Sequence, residues 1–150
     1  MSITGQTVRN AGTELYADLS GSSFAPGTHL ILYTLNVGQG GPSGTRNQNW
    51  RFIPVDAEPN QYKIQSVLTG LYASVGNAAA GQAVVSSLTD FAWKVTVVDT
   101  YSTHWIIGVP NTNLVWNVPA GSGSSTNVTI AVATNNNLNQ QWTLKDVVYK

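Results

Sequence analysis

Three tryptophans close three similar phrases: NQNW at 47–50, DFAW at 90–93 and NQQW at 139–142. Trp50, Trp93 and Trp142 lie 43 and then 49 residues apart. A period of that size marks a fold assembled from repeated units. Other features recur in step with it. LYADLSG at 15–21 matches LYASVGN at 71–77 and, more loosely, LVWNVPAG at 114–121. Each copy reads as four strands: a first (4–10, 61–67, 103–109), a second opening Leu-Tyr or Leu-Val, a third of β-branched residues, and a fourth holding the Trp. Four short strands bury little apolar surface alone, so three copies must share one core. The expectation is an all-β chain of twelve strands.

The local signals agree. HLILYTL at 29–35, QYKIQSV at 61–67, WKVTVV at 93–98 and VTIAVAT at 128–134 are rich in β-branched and aromatic residues. Gly, Pro, Asn and Ser clusters bound them, as turns require. Short strands at 8–12-residue spacing point to a barrel or sandwich. A length of 150 residues fits a single domain over 1–150.

Composition narrows the function classes. Seven basic residues balance seven acidic ones, and only 9% of the chain is charged. Nucleic-acid binding needs a basic excess, so nucleic acid is not an expected partner. A surface of Asn, Gln, Ser, Thr and Gly instead suits a neutral, hydroxyl-rich partner. No apolar run approaches the roughly 20 residues of a membrane span, so the chain is not expected to insert in a membrane. There is no Cys, which fits a reducing compartment. MSITGQTVRN has no apolar signal-peptide core, so a cytoplasmic location is expected. Asn127-Val128-Thr129 fits the glycosylation pattern but should then go unused. His29 and His104 lack metal-ligand spacing, and no catalytic or cofactor motif is found. Asp56 and Glu58, two apart beside Pro59, read as a solvated turn rather than a hydrolytic pair. No enzyme activity, metal or cofactor is expected.

Gln48 and Trp50 are two apart, which on a strand sets them on one face; so are Gln140 and Trp142. The indole supplies apolar area and one N–H, and the Gln amide can satisfy the backbone of a turn. In the second copy Phe91 stands where Gln belongs. With three equivalent Trp positions and the repeated Leu-Tyr strand, the sequence resembles the ricin B-chain-like lectins, the Gln-x-Trp β-trefoils. The resemblance spans three repeats, about 1–55, 56–99 and 100–150. It extends to small, cytoplasmic, Cys-free fungal members, which are single-domain and often form homodimers. On it, Gln48, Trp50, Trp93, Gln140 and Trp142 are structural, with the three Trp residues in the core.

The resemblance also implies where a glycan would bind. A family subsite uses an Asp in the second strand, an aromatic ring after the third, and an Asn beside the motif Gln. A carboxylate accepts strong hydrogen bonds from paired hydroxyls, and an amide both donates and accepts. The first repeat carries Asp18, Tyr33 and Asn47, with Asn36 and a backbone N–H of Gly38 or Gly40 as further candidates. The second has Ser74 for the acid and no aromatic. The third has Asn117 for the acid, keeps Asn139, and offers only Trp116 as a neighbouring ring. From the acid position to the Trp the copies run 32, 19 and 25 residues. One site per chain is expected, for galactose or N-acetylgalactosamine-type glycans. The alternative is a protease inhibitor like the fungal trefoil inhibitors, presenting Arg46 or Asn60 from loops. A targeting module of a larger enzyme is a third, weaker expectation.

Overall fold

A computed structural model of the chain describes residues 2–36, 45–99 and 103–149. Among them are β1 (Ser2–Asn10), β2 (Tyr16–Leu19), β3 (Leu30–Tyr33), β4 (Trp50–Pro54), β5 (Gln61–Ser66) and β6 (Tyr72–Ser74). They continue with β7 (Val85–Ser87), β8 (Ala92–Val97), β9 (His104–Gly108), β10 (Leu114–Asn117), β11 (Thr129–Val132) and β12 (Trp142–Tyr149). The expected twelve strands are there, and the helical segments among the described residues are short 3-10 turns.

Six of the strands close into a barrel. β1 pairs with β4, β4 with β5, β5 with β8, β8 with β9, β9 with β12, and β12 with β1. Closure removes the exposed edges that a strand-rich chain must otherwise protect. The remaining strands form three hairpins, β2–β3, β6–β7 and β10–β11. The hairpins join around a ring of backbone hydrogen bonds. Leu30 N–H donates to Val84 C=O at 3.0 Å, Val84 N–H to Val128 C=O at 2.9 Å, and Val128 N–H to Leu30 C=O at 2.9 Å. That closed cycle is the pseudo-threefold axis, and it makes the fold a β-trefoil.

Alternation sets which side of each hairpin faces the core. In the first, Ala17, Leu19, Leu30 and Leu32 are fully buried. Tyr16, Asp18, Ile31 and Tyr33 occupy the other face by the same alternation. The repeated Leu earns its position in each copy by closing a turn. Leu15, Leu71 and Leu114 accept backbone bonds from Asn10, Ser66 and Val109.

Trp50, Trp93 and Trp142 lie in the core at 1%, 0% and 0% exposure. Each indole N–H donates to a backbone carbonyl of its own repeat: Ala17 at 3.1 Å, Ala73 at 2.8 Å and Trp116 at 3.4 Å. Trp116 is itself fully buried. It meets Trp93 and Trp142 edge-on, with centroids 5.5 and 5.8 Å apart, the favoured geometry for paired ring quadrupoles. Trp116, the neighbouring ring that a weak third site would have needed, instead fills the core.

Candidate functional site

The carbonyl that receives each indole proton fixes which positions are equivalent. The next residues along are Asp18, Ser74 and Asn117. Strand register carries the match across each hairpin. Asp18 faces Ile31 and Tyr16 faces Tyr33; Ser74 faces Val85 and Tyr72 faces Ser87; Asn117 faces Thr129 and Val115 faces Ala131. Acid and ring thus coincide in the first repeat, while the others hold Ser74 with Ser87 and Asn117 with Ala131.

The structure corrects the placement of the motif glutamines. Gln48 is the last residue of a 3-10 turn, Arg46–Gln48, and Gln140 ends a second, Leu138–Gln140. Neither shares a strand face with its Trp, because the strands begin at Trp50 and Trp142. The 3-10 geometry turns the Gln amide sideways, toward the preceding hairpin and the loop after it. Gln48 Nε2 donates to Thr34 C=O at 2.8 Å and Oε1 accepts from Asn36 N–H at 2.8 Å. Gln140 does the same with Val132 C=O at 3.0 Å and Thr134 N–H at 2.9 Å. Satisfying a turn's backbone was the expected role, and it holds for both. In the second repeat Phe91 makes no such bridge and packs on Trp93, centroids 4.6 Å apart.

Around Asp18 the sequence candidates converge. Its Oδ1 accepts from Asn47 Nδ2 at 3.0 Å and its Oδ2 from Gln48 Nε2 at 2.8 Å. Asn36 Nδ2 donates to Thr45 Oγ1 at 3.1 Å, and Thr45 Oγ1 donates in turn to Asn47 Oδ1. Asp18, Asn36, Asn47 and Gln48 therefore belong to one network. Tyr33 stands on the same face of the hairpin, two pairs along, and is 39% exposed. Gly38 and Gly40 lie outside the described residues.

Asp18 is only 3% exposed. Burial pushes its carboxyl up to about 6 from an ordinary 3.8, and the Gln48 and Asn47 hydrogen bonds pull partly back. The desolvation penalty on the charged form exceeds what two neutral amides return. Each oxygen gives one lone pair to an amide and keeps another. The amides thus aim the carboxylate without exhausting its acceptors.

The third repeat shows the frame without the charge. Gln140 Nε2 reaches Asn117 Oδ1 at 3.2 Å. Asn139, the counterpart of Asn47, has a buried Nδ2 with no hydrogen-bond partner. An Asn offers one acceptor oxygen where Asp offers two, and that oxygen is turned to Gln140 Nε2 rather than to Asn139. That orphan could not be foreseen from the retained Asn139 alone.

Residues set aside in the sequence stay apart from this network. Asp56 and Glu58 are exposed beside a turn. His104 Nδ1 pairs with Gln141 Oε1 at 2.9 Å. Arg46 and Asn60 are both exposed, Asn60 with φ of 63°. Among the described residues no group of His, Cys, Asp or Glu could hold a metal, and no helix is long and apolar enough to cross a membrane.

Comparison with known proteins fits this geometry. Residues 46–132 match the family model of ricin-type β-trefoil lectin domain-like proteins. The Macrolepiota procera ricin B-like lectin, solved in complex with lactose, superposes with a TM-score of 0.77 at 23% identity, covering 97% of each chain. The Rhizoctonia solani agglutinin gives 0.80 at 23% identity, covering 97% of this chain and 96% of that one. A designed threefold-symmetric protein, ThreeFoil, gives 0.79 at 23% identity, covering 95% and 99%. At such identity the likeness speaks to the fold. No curated protein matches the chain.

Proposed function

Because the chain belongs to the ricin-type β-trefoil lectin domain-like family, we propose that it binds carbohydrate without transforming it. Its main site is in the first repeat, and its ligands are galactose- or N-acetylgalactosamine-type glycans. What supports this is the contrast between equivalent positions. Asp18 with Tyr33 faces Ser74 with Ser87 and Asn117 with Ala131 in the other copies. Needs of the shared fold act on all three repeats, so they do not account for a buried carboxylate in one.

The chemistry runs from the carboxylate outward. Asp18 accepts from two adjacent sugar hydroxyls with its remaining lone pairs, as charged acceptors do most strongly. Tyr33 covers the apolar face of the sugar ring. Asn47 holds the carboxylate and turns its second amide proton to a hydroxyl, and Asn36 braces the turn through Thr45. Gly38 and Gly40 remain candidate backbone donors. Lactose, the sugar in the Macrolepiota procera complex, ends in galactose, which supports the class of ligand. Glycoside hydrolysis needs a second carboxyl roughly 5–10 Å from the first. The described partners of Asp18 are amides instead, which supports a binding role. One shallow site binds weakly, and a homodimer of such a single domain gains avidity through effective concentration. A Cys-free chain of this kind suits the cytoplasm.

The test is a glycan array run with the natural chain and with Asp18→Ala. Galactose-terminated glycans should be retained by the first and lost by the second. Equal retention by the variant would move the site elsewhere, and an empty array for the natural chain would end the lectin reading.

A further inference from the structure

The hairpins cap one end of the barrel. The other end is the one where Ser2 pairs with Tyr149. β4 starts at Trp50 beneath the cap and runs toward that end, so Phe52 and Pro54 lie about 7 and 13 Å further down. A cavity of about 540 Å³ occupies the mouth. All six barrel strands line it, through Gly5, Phe52, Tyr62, Val95, Trp105 and Leu144. Gly5 lets β1 lie close against β4, because a Cβ there would meet Trp50 O and Val67 Cγ2, each at 2.9 Å.

The volume suits a small organic molecule, and the lining has the pattern of a ligand site: apolar walls with few polar groups. Three of the walls are aromatic. Phe52 and Tyr62 meet edge-on at 6.3 Å, and Trp105 comes from β9. Among the described residues neither the Tyr62 hydroxyl nor the Trp105 indole N–H has a protein partner. The carboxylate at the mouth is Asp146. Its Oδ1 accepts from Gln6 Nε2 at 2.9 Å, and its other oxygen has no described partner. Beyond Pro54 the turn to β5 adds two exposed acids, Asp56 and Glu58. Arg51 borders the cavity too; it is exposed, and strand alternation sets it on the face opposite Trp50.

We propose that this end of the barrel binds a small organic cation, its ring-bearing body among Phe52, Tyr62 and Trp105 and its ammonium group at Asp146. Aromatic faces and a carboxylate both attract a cation, while the same walls accept an apolar body. This site stands apart from Asp18 and does not depend on glycan binding.

Titration with 2-phenylethylammonium tests it, followed by the Trp105 indole signal in NMR spectra. 2-Phenylethanol serves as the neutral probe and 3-phenylpropionate as the anion. Saturable shifts are expected, with the ammonium binding roughly tenfold tighter than the alcohol and the anion weakest. Asp146→Asn should erase the preference for the cation, and Leu144→Phe should weaken all three probes by filling the cavity. Asp146 is exposed, so its variant should fold, and glycan retention in that variant checks this independently. No saturable movement of the Trp105 signal overturns the site. Equal binding of cation and alcohol, unchanged in Asp146→Asn, overturns the cation.

Discussion

Asp18 and Asn117 occupy the same place in two copies of one frame. Each follows a carbonyl that accepts from a core indole, and each receives the Nε2 of a motif Gln ending a 3-10 turn. In the first repeat two amide donors meet two carboxylate oxygens. In the third, one amide oxygen takes the Gln140 proton and Asn139 Nδ2 is left without a partner. Across the hairpin, Tyr33 becomes Ala131. The comparison separates two roles that a single repeat confounds. The Gln and the Trp hold the turn and the core wherever they occur, whereas the acid and the ring are free to change because the fold survives their loss.

The largest effect should come from removing the charge that distinguishes the two copies. Asp18→Asn is isosteric but loses one acceptor and the charge, so glycan affinity should fall by about 2–3 kcal/mol, roughly 30–150-fold. Asn117→Ala should leave affinity unchanged. Calorimetric titration of both variants with lactose measures the difference, and comparable losses would erase the proposed asymmetry.

Acid should weaken the site next most. With the Asp18 carboxyl at about 6, only about a tenth stays ionised at pH 5, so affinity should drop about tenfold from its value at pH 7.5. Stability should move the other way. The folded chain holds this proton more tightly than the unfolded one, whose Asp titrates near 3.8. Asp18 therefore costs stability above pH 6, and that cost disappears as pH falls from about 6 toward 3.8. Denaturant unfolding should show the natural chain gaining stability relative to Asp18→Asn as pH falls through that window. Parallel pH curves would show that Asp18 does not titrate there.

Removing the ring is expected to cost less. Tyr33→Ala should weaken lactose binding by about 1 kcal/mol, roughly fivefold, because the exposed ring contributes stacking and not the main hydrogen bonds. Stability should hardly change. Unaltered affinity by the same titration would remove Tyr33 from the site.

The smallest effect runs in the gaining direction. Asn117→Asp with Ala131→Tyr gives the third repeat a carboxylate for Asn139 and a ring opposite. A second, weaker site should raise the lactose stoichiometry from one toward two. A stoichiometry that stays at one would mean that a further element of the first repeat, beyond acid and ring, is indispensable.

Much of this was legible in the chain itself. Trp50, Trp93 and Trp142 announced a threefold fold because a large buried indole is costly to replace in any copy, and the Leu-Tyr phrase located the second strands. Asp18 stood out because its repeats had Ser and Asn there. Other parts were hidden for physical reasons. The period-2 reading of Gln48 and Trp50 failed because a 3-10 turn intervenes, and three-residue turns leave no periodic signal. The burial of Trp116 was not legible because it depends on Trp93 and Trp142, one of them from another repeat.

The sequence by itself determined the repeat, the strand order within it, the core indoles and the residue types that differ between copies. These are local or periodic properties, and each copy states them alone. Only the tertiary structure decided which groups meet. Asn47 and Gln48 reach Asp18 across about thirty residues, the three hairpins close a ring of backbone bonds that no single copy contains, and six strands assemble an aromatic mouth around Asp146. Each of those depends on chain closure bringing distant residues within a few ångströms, and spacing along a sequence does not encode that distance.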